Sequence, residues 1–106
     1  MFREATLEEL DHARRQGAAV IDVRQPEEYV DGHIPGAQLL PLTVVPGRVR
    51  ELPRHEPVYV VCASGNRSAQ AAAYLARAGI DARSVAGGTS AWIGNGRPVR
   101  TGTRAA

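Results

Sequence analysis

Residues 58–68 read Val-Tyr-Val-Val-Cys-Ala-Ser-Gly-Asn-Arg-Ser: four apolar residues run into the only cysteine of the chain and then into a loop of small residues. The first four lack the polar alternation of a half-solvated strand, which predicts a central strand of a parallel sheet covered on both faces. Cys62 then stands at the carboxyl end of that strand, the end at which open α/β sheets bind ligands. A helix predicted over residues 68–78 starts within one turn of the cysteine, so amides without intrahelical partners gather near the sulfur. The N–H groups of residues 63–68 are placed to curl into a concave nest, and the helix dipole adds partial positive charge; both favour a thiolate over a thiol. Gly65 permits a positive φ and close approach of a ligand, while Ser64 and Asn66 supply further hydrogen-bond donors. Arg67 adds a guanidinium fork that matches an oxyanion and keeps its proton. The expected site is therefore Cys62 as nucleophile, with Ala63, Ser64, Gly65, Asn66, Arg67 and Ser68 holding the substrate.

Outward from this stretch, strands and helices alternate. Thr6-Leu7-Glu8-Glu9 is a capping-box pattern that opens a helix ending near Gly17, and residues 18–23 read as a strand. Pro26 starts a short helix that Gly32 ends, and residues 36–40 form a short strand. A further short helix is expected within residues 43–52, interrupted by Pro46 and Gly47. Gly79 closes the helix after the central strand, residues 82–85 form another strand, and residues 89–93 a last short helix. This alternation predicts an α/β domain, a mainly parallel central sheet with helices on both faces. Gly94 onward, with Arg97, Arg100 and Arg104 among Gly and Thr, is expected to be a mobile tail, above all residues 100–106.

Composition bounds the function. A chain of 106 residues is one domain, large enough to bury a core without disulfides or a structural metal. One cysteine forms no internal bridge, and the N-terminus shows no basic segment followed by an apolar run, which predicts a reducing, cytoplasmic setting. No apolar stretch is long enough to cross a membrane. The net charge is +2 with arginine as the only strong base, but no basic stripe or interleaved aromatics point to nucleic acid.

The loop from Cys62 to Ser68 resembles the active-site loop of rhodanese-like sulfurtransferases, whose pattern is C-x-x-G-x-R or a close variant. Ile21-Asp22-Val23-Arg24, Glu28-Tyr29 and Gly32-His33-Ile34-Pro35-Gly36-Ala37 resemble the first signature of that family, and Gly87-Gly88-Thr89-Ser90-Ala91-Trp92 its C-terminal one. The resemblance spans residues 6–99. It implies a single rhodanese-like domain over residues 1–106 that moves a sulfane sulfur from thiosulfate or a similar small molecule to a thiol, cyanide or a thioredoxin-like acceptor, through a persulfide on Cys62 and with no cofactor. The pattern departs at Ala63 and Asn66, which stand where the best-known thiosulfate-using members carry additional basic residues; Arg67 is the only cation of this loop.

Two other classes share the cysteine. Related phosphatases and arsenate reductases have one more residue before the arginine, widening the cradle for a tetrahedral anion, whereas four residues separate Cys62 from Arg67 here. A sulfur relay or binding module acting on a partner protein is compatible with every residue of the loop. Asp22 and Arg24 read as structural residues, at most supporting the loop from behind: an aspartate at a strand end bonds nearby backbone, and Arg24 has Glu28 as its expected ionic partner. His33 is expected to be a satisfied turn residue, His12 and His55 surface residues, and no spacing suits a metal. Gly87-Gly88 is read as a turn approaching the cysteine loop, and Trp92 as a core anchor.

Overall fold

A computed structural model describes residues 2–106. Five strands, β1 (Arg3–Ala5), β2 (Ala19–Asp22), β3 (Gln38–Leu39), β4 (Val58–Val61) and β5 (Ala82–Val85), form one sheet in the order β1-β5-β4-β2-β3. All four pairings are parallel, so the chain crosses over between strands and covers both sheet faces. The helices are α1 (Leu7–Arg15), α2 (Pro26–Asp31), α3 (Val45–Arg48), α4 (Asn66–Arg77) and α5 (Gly88–Gly94).

Central β4 shows why the sheet has two cores. Its four residues are all buried; Val58 and Val60 face one way against Ala71, Ala72 and Leu75 of α4, while Tyr59 and Val61 face the other way toward Leu10 of α1 and Trp92 of α5. The period of two in the strand thus splits one apolar run between two packed layers. Alanines on the inner face of α4 let that helix lie close to the sheet, and each fully buried valine of β4 contributes ~1.5–3 kcal/mol.

Local chemistry sets the boundaries. The Thr6 hydroxyl accepts from the Glu9 amide at 3.0 Å while Glu9 Oε1 accepts from the Thr6 amide at 2.8 Å, the reciprocal cap expected for α1. Pro26 occupies the first turn of α2. Between β3 and β4 the expected helix becomes three pieces, α3 flanked by 3₁₀ turns at Leu42–Val44 and Val49–Glu51. Pro46 is accommodated in the first turn of α3, where its missing N–H costs nothing. Sequence reading misses β1: Arg-Glu-Ala carries no apolar run, and only Ala5 is buried where this edge strand lies beside β5.

Residues 98–105, expected to be a mobile tail, run back over the His33 loop. Arg100 and His33 exchange backbone hydrogen bonds at 2.8 and 2.9 Å, the Gly36 amide donates to the Ala105 carbonyl at 2.8 Å, and the Gly102 amide to the Val30 carbonyl at 2.9 Å. His33 is fully buried, stacked on Tyr29, with ring nitrogens 2.7 Å from the carbonyls of Tyr29 and Arg104. Trp92, also fully buried, donates from Nε1 to the Pro98 carbonyl at 2.6 Å and carries the guanidinium groups of Arg14 and Arg97 over its ring. Nothing in a Gly-, Thr- and Arg-rich stretch signals such docking, because backbone groups make it.

Candidate active site

Cys62 follows the last residue of β4, the third of five strands, and the loop from it turns at Gly65, whose φ of +118° is open to glycine, into the first residue of α4. This folding back brings the Gly65 amide to 3.0 Å from Cys62 Sγ and the Ser68 hydroxyl to 3.4 Å. Ser68 Oγ also lies 2.8 Å from Ser84 Oγ and 3.1 Å from the Gly65 carbonyl. A hydroxyl has one hydrogen, so a thiolate form is served by a chain in which Ser84 donates to Ser68 and Ser68 donates to sulfur. Burial pushes the Cys62 thiol up, but the Ser68 hydroxyl and the amides of Ser68, Gly65 and Ser64 outweigh it and bring it below the ordinary cysteine value.

The other wall comes from α5. Thr89 and Ser90 donate their amides to the carbonyls of Cys62 and Ala63 at 2.8 and 2.9 Å. Both carbonyls are thereby satisfied and tied to α5. The approach is so close that a Cβ on Gly88 would press into both of them, which bears out the reading of Gly87-Gly88 as a turn against the loop. Cys62 itself is 1% exposed, Ala63, Gly65 and Arg67 are half-buried, Ser64 and Asn66 are open to solvent, and Ser68 is buried. All seven predicted loop residues are therefore in one place, with Ser68 inside α4, whose first turn begins two residues earlier than expected.

The charged residues pair differently from expectation. Arg24 does not take Glu28; its guanidinium binds Asp22 through Nε at 3.0 Å and Nη2 at 2.8 Å, and Nη2 also donates to the Gly32 carbonyl at 2.8 Å. Two residues apart across the β2–α2 turn, these side chains meet over the shortest path, and Asp22 accepts the Arg24 amide as well at 3.0 Å. Glu28 is left for Arg67. Nη1 and Nη2 of Arg67 donate to its two carboxylate oxygens at 2.7 and 2.9 Å, so the cation expected to face substrate alone is already forked by a carboxylate. The Arg67 guanidinium holds the Glu28 carboxyl down at about 2, and Glu28 in turn raises Arg67.

Two residues here escaped the site predicted from sequence. Ser84 had a signal: in Ala82-Arg83-Ser84-Val85 it alternates with buried Ala82 on one side of the strand, a hydroxyl at an inward position. Glu28 stood in the Glu28-Tyr29 segment of the first signature, but nothing in the sequence pointed to Arg67 as its partner, 39 residues away. No group of three His, Cys, Asp or Glu residues among those described is arranged to hold a metal ion. His12 and His55 are exposed. A hollow of about 360 Å³ lined in part by Gln16, Glu56 and Tyr59 lies at the amino end of β4, opposite Cys62. No described helix is long and apolar enough to cross a membrane.

Comparison with known proteins gives a consistent result. The family model described as the rhodanese-like domain matches residues 6–95. A sulfurtransferase of Allochromatium vinosum is 38% identical over 88 residues, 82% of this chain and 82% of its own length. The thiosulfate sulfurtransferase GlpE of Pseudomonas syringae pv. syringae is 38% identical over 92 residues, 86% of this chain and 87% of its own. Among solved structures, a rhodanese-related protein from Thermoplasma volcanium is similar with a TM-score of 0.88 at 32% identity, covering 95% of this chain and 100% of that one. A rhodanese-like domain protein from Staphylococcus aureus is similar with a TM-score of 0.84 at 35% identity, covering 95% and 99%.

Proposed function

The chain belongs to the rhodanese-like domain family of sulfurtransferases, and from that premise we propose that it transfers a sulfane sulfur through a persulfide on Cys62. The observation that carries this reading is the Gly65 N–H aimed at Cys62 Sγ at 3.0 Å, in a loop whose carbonyls are tied to α5. That arrangement favours sulfur as an anion both before and after it takes up a second sulfur atom.

With thiosulfate as substrate, the Cys62 thiolate attacks the outer sulfur. A new S–S bond forms while the bond to the sulfonate sulfur breaks, and sulfite leaves with the bonding pair. Negative charge moves from Sγ to the outer sulfur, where the amide nest and the positive potential of Arg67 stabilise it. A second nucleophile, whether cyanide, a small thiolate or a thioredoxin-like protein, then takes the outer sulfur and Cys62 returns as a thiolate. With anionic nucleophiles no proton moves in either half-reaction, so the chemistry asks for no general base and no cofactor, and ping-pong kinetics follow. A reducing cytoplasm suits such a cycle, since it keeps Cys62 free between turnovers.

Intact-mass measurement after incubation with thiosulfate tests the reading. Gain of one sulfur atom, reversed by cyanide and absent in Cys62→Ser, is the expected result. An unchanged mass in the wild-type protein after thiosulfate and after an organic persulfide alike overturns it.

A further inference from the structure

Glu28 takes no part in the sulfur chemistry, yet it occupies the cation of the loop. Both oxygens of its carboxylate are on Arg67, and Oε1 also accepts the Gln25 amide at 3.0 Å, which fixes it to the first turn of α2. Arg67 feels the charges of Glu28, the Cys62 sulfur and Asp22, and Asp22 is itself neutralised by Arg24, which leaves a thiolate, Arg67 and Glu28 to set the charge of the site. An arriving dianion therefore meets a net negative site and has to compete with Glu28 for the guanidinium fork. A substrate whose reacting group carries a single charge suffers less of both effects.

We propose that Glu28 is the residue that sets sulfur-donor specificity, clamping Arg67 so that the site disfavours small dianions such as thiosulfate and favours persulfides of organic thiols. This rests on Cys62 being the sulfur acceptor. With an organic persulfide the step balances without Arg67 being free: Sγ bonds to the outer sulfur, the persulfide S–S bond breaks, and a thiolate leaves with the pair. The clamp is set to be released: the side chains of Arg67 and Glu28 are 33% and 35% exposed, a setting in which ion pairs are weak.

The test compares wild type with Glu28→Gln, which keeps an acceptor for the Gln25 amide and removes the charge. KM for thiosulfate is expected to fall about fivefold, equivalent to ~1 kcal/mol and the upper end for an exposed ion pair, with kcat nearly constant. KM for glutathione persulfide is expected to stay within about twofold, because its reacting persulfide group carries a single charge and gains less from a freed guanidinium than the two charges of thiosulfate do. An unchanged or raised KM for thiosulfate, or an equal shift for both substrates, overturns the proposal. The dissociation constant of thiosulfate from Cys62→Ser and from Cys62→Ser/Glu28→Gln, by calorimetry, gives the same comparison without turnover. If wild type takes up sulfur from neither substrate, the persulfide reading fails and the clamp is still decided: about fivefold tighter binding in the double variant supports it, equal binding overturns it. Should Glu28→Gln not fold, Glu28→Asp, one methylene short of the fork, is expected to lower the thiosulfate KM, and an unchanged KM there overturns the proposal equally.

Discussion

Cys62 is a residue on which two opposing forces can be told apart. Burial resists ionisation, whereas one hydroxyl and three amides around Sγ promote it, and the hydrogen bonds prevail. Ser68→Ala removes the hydroxyl and leaves the amides in place. The pH midpoint of iodoacetamide alkylation is expected to lie below that of an ordinary cysteine in the wild type and to move upward in Ser68→Ala; coincident midpoints would mean that Ser68 and Ser84 are only packing partners. Glu28 responds to pH in another range. Its carboxyl is held at about 2 against an ordinary 4.5, so whatever the pair adds to stability is fully present above 4.5 and is lost as pH falls toward 2. For a side chain that is 35% exposed this contribution is small. Thiosulfate KM relative to that of glutathione persulfide is therefore expected to stay flat across neutral pH while the alkylation rate changes with the thiolate fraction.

At the scale of elements, the close seating of α5 on the cysteine loop is the feature with the sharpest consequence. Gly88 has a φ of +54° and no room for a methyl group beside the carbonyls of Cys62 and Ala63. Gly88→Ala is expected to lose ~1–3 kcal/mol, the usual cost of overpacking, and to slow Cys62 alkylation because the carbonyls it displaces position the loop. Gly94→Ala at the other end of α5, where nothing lies within 4 Å, is the control and is expected to leave both quantities near wild type. Thermal melts and alkylation rates of the two variants decide this, and equal behaviour would remove α5 from the account of the site. The elements around it were largely legible in sequence because each had a local cause: the Thr6 cap, Pro26 at a helix start, the unbroken apolar run of β4. Those that were not legible depend on distant partners. Edge strand β1 exists through β5, the broken 3₁₀ and α3 stretch follows the surface it covers, and the Arg67–Glu28 pair joins α4 to α2 across 39 residues. Oppositely charged residues near in sequence suggested Arg24 with Glu28; the fold offered each a better-oriented partner.

For the molecule as a whole, the two cores on either side of β4 account for the sheet and its helices, and the C-terminal segment stands outside both. Its attachment is by hydrogen bonds: Arg100 with the His33 backbone, Arg104 with the His33 ring, Ala105 with Gly36 and Gly102 with Val30. His33 is fully buried, so removing its cover leaves a ring nitrogen and two backbone groups to find water. A lost buried hydrogen bond costs ~1–3 kcal/mol when nothing replaces it and less when water enters. For a domain of this size ~1 kcal/mol corresponds to about 4–8 °C in Tm. A chain ending at Val99 is therefore expected to melt roughly 5–15 °C lower, with amide exchange accelerated around residues 33–37. At low temperature its rate of Cys62 alkylation is expected to match that of the full chain, because none of these bonds touches the loop from Cys62 to Ser68. A Tm within about 2 °C of the full chain, a shift below ~1 kcal/mol, would show that residues 100–106 lend the fold nothing. A parallel loss of alkylation would instead join the segment to the active site, through the α2 helix that carries Glu28 and ends beside His33.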